Sequence, residues 1–182
     1  MRYYIIAGEP SGDLHASNLI KSIIKRDDAA QIRAMAGDLS REAGAELYRH
    51  YKDTAVMGVV EVVKKAGKIL NNLSDCKRDI LQFNPDVIIL VDYPGFNLKI
   101  AKFAKSRGIK VFYYIAPKVW AWKEHRVKEL RKYVDRLYII FPFEKDYFTQ
   151  RGVEAIYLGN PLADLESMDT NESIEEFCQK HH

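Results

Sequence analysis

Cysteine is scarce in this chain. Only Cys76 and Cys178 occur among 182 residues, far apart and without a CxxC pair, so neither a disulfide framework nor a thiolate metal site is encoded. A reduced, cytoplasmic chain is the simple expectation. Long apolar runs are missing too: none approaches the roughly 18–20 residues of a membrane span. The first apolar run, Tyr3–Ala7, meets Gly8 and Glu9 at once, which predicts a first strand and not a signal peptide. Neither sign of charge dominates, with 28 Lys and Arg against 25 Asp and Glu, and a net charge of +3 does not by itself imply a polyanion partner. The chain has no GxGxxG after its first strand and no GK[ST], which removes both common nucleotide fingerprints. Repeats, low-complexity tracts and Pro/Gly/Ser linkers are absent as well.

What is present is a core. Hydrophobic residues make up 47% of the chain, enough for one domain or one lobe of something larger. The charge is unevenly spread. Residues 99–136 hold twelve Lys and Arg against Glu124, Glu129 and Asp135, whereas 164–182 hold six acids and one Lys. One face is expected to be basic and the tail acidic.

Short strand-like runs alternate with segments of helical period. Tyr3–Ala7, Gln31–Ala36, Val87–Val91, Lys110–Ile115, Leu137–Phe141 and Ala155–Leu158 read as strands. Val87–Val91 (VIILV) is continuously apolar, as the buried centre of a parallel sheet requires. Asp13–Lys25, Lys99–Ser106, Trp122–Tyr133 and Phe143–Gln150 read as helices. Alternation without Asn-Gly hairpins predicts an α/β fold with a Rossmann-like, doubly wound parallel sheet. Ser173 and Glu176 have capping-box spacing, so a further helix is expected to begin there.

In such sheets the working site lies beyond the carboxyl ends of the strands. The loop Gly8-Glu9-Pro10-Ser11-Gly12-Asp13 carries two carboxylates that repel phosphate and suit sugar hydroxyls, although Asp13 is equally at home as an acid in a first helical turn. Asp92 directly follows the most apolar strand, where a carboxylate is costly unless paired or used. Partial desolvation there would raise its pKa and fit it to take a proton from a hydroxyl. The segment from Tyr113 to Arg126 mixes two Trp with cations. Its aromatic residues suit a sugar or base surface, but packing of Trp120 and Trp122 in the core is the expectation, with Lys118 and Arg126 as phosphate candidates. Finally, Ala55–Leu73 is more apolar than one core-facing stripe needs and carries Lys64, Lys65 and Lys68, the composition of an interfacial anchor or of a second packed helix.

Taken together, the stretches GEPSGD, AVMGVVEV, PDVIILVDYPGFN, APKVWAWKEHR, FPFEKDYF and YLGNPLAD resemble the lipid-A-disaccharide synthase family of GT-B glycosyltransferases, in family order over most of residues 5–164. The resemblance implies transfer from UDP-2,3-diacylglucosamine to 2,3-diacylglucosamine 1-phosphate, giving the β-1,6 disaccharide of lipid A and UDP, with no metal and no other cofactor. It implies a cytoplasmic enzyme held peripherally on the inner membrane, with no nucleic-acid partner, and it leaves a homodimer open. Asp92 matches the family's general base for the acceptor hydroxyl. Gly8, Glu9, Ser11, Gly12 and Asp13 match the first cleft loop, and Asn97 closes the Asp92 motif. Val60, Val62, Val63, Ile69 and Leu70 fall on the apolar helix that meets membrane and acyl chains. Two positions depart from the pattern: Gly95 stands where many relatives have a second Asp, and Lys118 where many have a small polar residue. A phosphate role for Lys118 and Arg126 is therefore an expectation from their chemistry alone.

The resemblance further implies that residues 1–164 are the N-terminal, acceptor-side lobe and that 165–182 begin the connection to a donor-binding lobe. By itself such a lobe is expected to be inactive. The alternative is a non-catalytic lipid- or sugar-phosphate-binding module that kept the acceptor lobe.

Overall fold

The computed structural model describes residues 1–54, 62–161 and 163, and for residues 54, 62–66 and 68 the backbone alone. Among these residues, seven strands are β1 (Arg2–Ala7), β2 (Gln31–Ala36), β3 (Glu46–His50), β4 (Val87–Val91), β5 (Lys110–Tyr114), β6 (Arg136–Ile139) and β7 (Ala155–Tyr157). The helices between them are α1 (Pro10–Ile24), α2 (Asp38–Glu42), α3 (Tyr51–Thr54), α4 (Val62–Phe83), α5 (Pro94–Ser106), α6 (Arg126–Tyr133) and α7 (Phe143–Thr149). The strands form one sheet in the order β3-β2-β1-β4-β5-β6-β7, and every pairing is parallel.

Every residue of β4 is buried, as expected of a central strand covered on both faces. Its even and odd positions feed two separate cores. Ile88 and Leu90 join Tyr4, Ile6, Tyr113 and the inner sides of α4 to α7. Val87, Ile89 and Val91 join Ile5, Ala7 and the α1 residues Ala16 and Ile20. This is the period of two in a strand, read out as two layers of helices.

The strand order reverses between β1 and β4, because β1 leads outward to β2 and β4 leads the other way to β5. Loops leaving these two strands part from each other and open a crevice at their carboxyl ends. Register fixes who stands there. Ala7 pairs with Val91, so Gly8 and Asp92 leave the sheet side by side.

Several boundaries differ from the periodicity reading. Helices α1 and α5 begin at Pro10 and Pro94, earlier than the apolar stripe, because each proline occupies the first turn, where its missing N–H costs nothing. Helix α6 begins four residues late, at Arg126, after Lys123 takes φ 60° and breaks the helical path. Strand β3 and helix α2 had no sequence signal. Apart from exposed Glu46, the β3 residues are all half-buried, so the edge strand shows no alternation to detect. The helix expected after Ser173 lies outside the described residues.

Candidate active site at the β1–β4 crevice

The chain turns sharply after β4. Asp92 and Tyr93 adopt φ 42° and 45°, two consecutive left-handed residues, neither of them glycine. Each such residue costs about 1–2 kcal/mol, and such strain persists only where neighbours enforce it. The neighbours are specific. The side-chain amide of Asn97 donates to the carbonyls of Val91 (3.2 Å) and Asp92 (2.7 Å), and the Tyr113 hydroxyl donates to the Asp92 carbonyl at 2.6 Å. Burial pushes the Tyr113 phenol well above its usual range, so it stays protonated as a donor. The Tyr93 ring stacks on Phe96 at 5.6 Å and lies against Gly8, where any Cβ would overlap it. A glycine at position 8 is thus required by the tyrosine across the crevice, for space and not for its own dihedral angle.

The hydrogen bonds of the turn lock the Asp92 backbone and not its carboxylate. The residue is half-buried, and burial raises the carboxyl above the ordinary carboxylate range. The like charge of Glu9 pushes the same way, whereas Lys118 and the Tyr93 N–H oppose the rise. Glu9, Asp92 and Lys118 therefore share one field across the crevice, an acid pair beside a cation. Glu9 is exposed and accepts a hydrogen bond from Ser11 Oγ at 2.7 Å.

Two of the expected substrate contacts are buried and hydrogen-bonded within the scaffold. Asp13 is only 2% exposed, and its carboxylate accepts from Gly37 N (2.8 Å), Leu39 N (3.1 Å), Ser40 N (3.2 Å) and Ser40 Oγ (2.5 Å). It caps the start of α2 from the first turn of α1, satisfying the amides that a helix N-terminus leaves over. Asn97 is fully buried, and its amide is spent on the Asp92 turn. Gly12, likewise buried, lies over Ala7, and a Cβ at position 12 would meet the Ala7 Cβ at 3.4 Å, an ordinary van der Waals contact. Of the first-loop residues, Glu9 and Ser11 are exposed and Gly8 is half-buried, whereas Gly12 and Asp13 are buried.

The crossing after β5 also departs from expectation. Trp120 and Trp122 are 40% and 74% exposed and do not pack in the core. Trp120 is held at the surface by Glu144, which is 1% exposed and accepts from the Trp120 indole N–H at 3.0 Å and from the Ile140 and Phe141 amides. Phe143 meets the same indole edge-on at 5.2 Å. Ile115 at φ 65° strains the strand end that starts this loop. Lys118 and Arg126 both face a cleft beside Pro94. Sequence reading missed Tyr93, Tyr113 and Glu144, all of which act through partners distant in the chain.

Helix α4 has two characters. Its second half is clamped to the sheet: Asp79 takes a bidentate contact from Arg33 and a 2.7 Å hydrogen bond from Tyr4, and Asn72 and Asp75 take Arg49. Cys76 lies inside this clamp, its thiol pushed up to about 12 by burial, which leaves it unreactive. Toward the other end, Ile69 and Leu70 are 41% and 59% exposed. Val60 lies outside the described residues, and the side chains of Val62 and Val63 are not described. Among the described residues, no helix is long and apolar enough to cross a membrane, and no three His, Cys, Asp or Glu converge to hold a metal.

A doubly wound parallel sheet with its polar residues at the switch point makes this a Rossmann-like α/β lobe, of the kind that forms the N-terminal lobe of GT-B proteins. Solved structures share this fold. UDP-GlcNAc 2-epimerase from Methanocaldococcus jannaschii, in complex with UDP-GlcNAc and UDP, superimposes with a TM-score of 0.67 at 17% identity, over 99% of this chain and 54% of that one. MurG from Acinetobacter baumannii gives 0.57 at 13% identity, over 88% of this chain and 45% of its own. Sequence narrows the class. The family model described as lipid-A-disaccharide synthetase matches residues 3–182, and the chain belongs to that family. Lipid-A-disaccharide synthase of Geobacter metallireducens is 43% identical over 178 residues, which is 97% of this chain and 46% of the relative. That of Coxiella burnetii is 38% identical over 175 residues, again 46% of the relative. The chain spans about half the length of the relatives it matches.

Proposed function

We propose that residues 1–164 form the acceptor-side lobe of a lipid-A-disaccharide synthase, with residues 165–182 beginning the connection to a donor-binding lobe. In this reading Asp92 is the general base. The acceptor is 2,3-diacylglucosamine 1-phosphate and the donor is UDP-2,3-diacylglucosamine. The acceptor's 6-hydroxyl oxygen attacks the donor's anomeric carbon as the bond from that carbon to the UDP oxygen breaks. The hydroxyl proton passes to the Asp92 carboxylate, and UDP leaves with the bonding pair. Gly8, Glu9 and Ser11 border the acceptor, while Asn97 and Asp13 keep the two loops in place.

The observation that carries this reading is the Asp92 turn: a strained backbone held by two buried donors, with a half-buried carboxylate whose pKa is raised. An ordinary aspartate, at a pKa of about 3.9, is a weak base, and the raised value brings it nearer to neutrality. The exposed Ile69 and Leu70, with Val60, Val62 and Val63 of the same segment, serve in this reading as contact with acyl chains and with the membrane. The enzyme then works peripherally at the cytoplasmic face of the inner membrane, uses no metal and binds no nucleic acid. The full-length protein with Asp92→Asn is expected to lose transfer, measured as disaccharide formed from the two substrates. Near-normal turnover would sink the assignment.

A further inference from the structure

Three cations line one cleft beside the Asp92 turn: Lys118, Lys123 and Arg126. None of them forms a salt bridge with a carboxylate among the described residues. Lys118 feels the Asp92 carboxyl, but no acid lines the cleft itself, so its three cations leave it net positive and favourable to an entering anion. The remaining wall is apolar, made by Pro94, Pro117, Val119 and Trp122. At about 280 Å³ the cleft is close to the lower end of the roughly 300–1,000 Å³ typical of small-molecule sites.

We infer that this cleft is a subsite for a phosphate monoester carried on a sugar, with Lys118, Lys123 and Arg126 taking the phosphate and Trp122 with the two prolines taking the adjoining apolar part. The inference rests on the proposed acceptor role of the Asp92 crevice and gives that crevice a polarity. Pro94 lies two residues beyond Asp92 and forms a wall of the cleft, so the cleft adjoins the Asp92 turn. Lys118 is close enough to act on the Asp92 carboxyl, and Arg126 on the Tyr113 hydroxyl that holds Asp92. A hydroxyl sits at the acid end, beside Asp92 and Glu9, and a phosphate at the basic end. Phosphate placed the other way round would meet two carboxylates. Such a site selects one orientation of a molecule that has a free hydroxyl at one end and a phosphate at the other. Lys and Arg suit the two jobs differently: the ammonium groups act as compact charges, and the Arg126 guanidinium offers a paired set of donors.

The test is calorimetric titration of the full-length protein, with UDP at saturation, by glucosamine 1-phosphate, by glucosamine, and by vesicles of phosphatidylglycerol. Saturable binding of the phosphate sugar alone is expected, weakened about tenfold or more in Lys118→Ala/Arg126→Ala and weakened further by salt, with the thermal midpoint of the variant as the fold control. Equal binding of glucosamine, or binding untouched in the double variant, overturns the subsite. So does the absence of glucosamine 1-phosphate binding when vesicles bind through the same two residues, which would assign the cleft to a lipid surface. Asp92→Asn should leave the phosphate sugar bound. Loss of transfer in that variant with no phosphate binding in the parent would retire the subsite and leave the Asp92 reading standing.

Discussion

Asp13 and Asp92 are both acids beside strand ends of the same crevice, and the structure treats them oppositely. Asp13 has four donors on its carboxylate and almost no exposure. Asp92 has its donors on the backbone carbonyl instead, leaving the carboxylate half-buried and facing a like charge. In one case hydrogen bonding saturates the side chain and stabilises the scaffold. In the other it holds the main chain in a strained turn and leaves the side chain half-buried with a raised pKa. A carboxylate at a strand end is thus a poor marker of function until its donors are counted.

This contrast can be broken in four ways. The largest effect is expected for Asp92→Asn, a loss of about 10²–10⁴ in kcat for disaccharide formation by the full-length protein. The same change should raise the thermal midpoint of this chain at neutral pH. The sign follows from the raised pKa: the folded state binds the Asp92 proton more tightly than the unfolded one, so ionisation destabilises the fold as pH rises through that window. A lower midpoint would mean that the ionised carboxylate holds structure, as Asp13 does. Next is Asp13→Ala, expected to cost about 3 kcal/mol or more in urea unfolding, because it strands the buried amides of Gly37 and Ser40. An unchanged midpoint would show that water or another acceptor replaces the carboxylate. Gly8→Ala should cost about 1–3 kcal/mol and reduce transfer together, since the new Cβ must displace Tyr93 and with it the Asp92 turn. Loss of stability with full activity would separate the ring from the base. The smallest effect is expected for Glu9→Gln: stability within about 0.5 kcal/mol, as for most exposed positions. Removing the like charge lets Asp92 ionise at lower pH, so the acid limb of the pH–rate profile should move down. A limb that stays put would mean that the two carboxylates do not share a field in the working enzyme.

The parallel sheet was legible because β4 is uninterrupted apolar sequence and because strands and helices alternate. Asp92 stood out for the same reason: a carboxylate next to VIILV is costly unless it is paired or used. What escaped was everything that depends on partners far along the chain. Asn97 reads as a polar residue in a loop motif, and only the fold brings Tyr113, sixteen positions later, to the carbonyl it also binds. Trp120 and Trp122 read as core because Trp is large and apolar; the buried Glu144 that pins Trp120 at the surface follows it by 24 residues. Helix starts at Pro10 and Pro94 had a local signal, proline in a first turn, that apolar periodicity does not register.

By itself, then, the chain's order of residues determined the alternating architecture, the family and the acid after the central strand, because hydrophobic period and motif spacing are local properties. Tertiary structure alone decided which of the two acids is free, which aromatic rings face water and which cations share a cleft. Those are matters of donors, burial and charge gathered from separate strand ends, and a linear pattern holds no information about which side chains a strand register sets side by side.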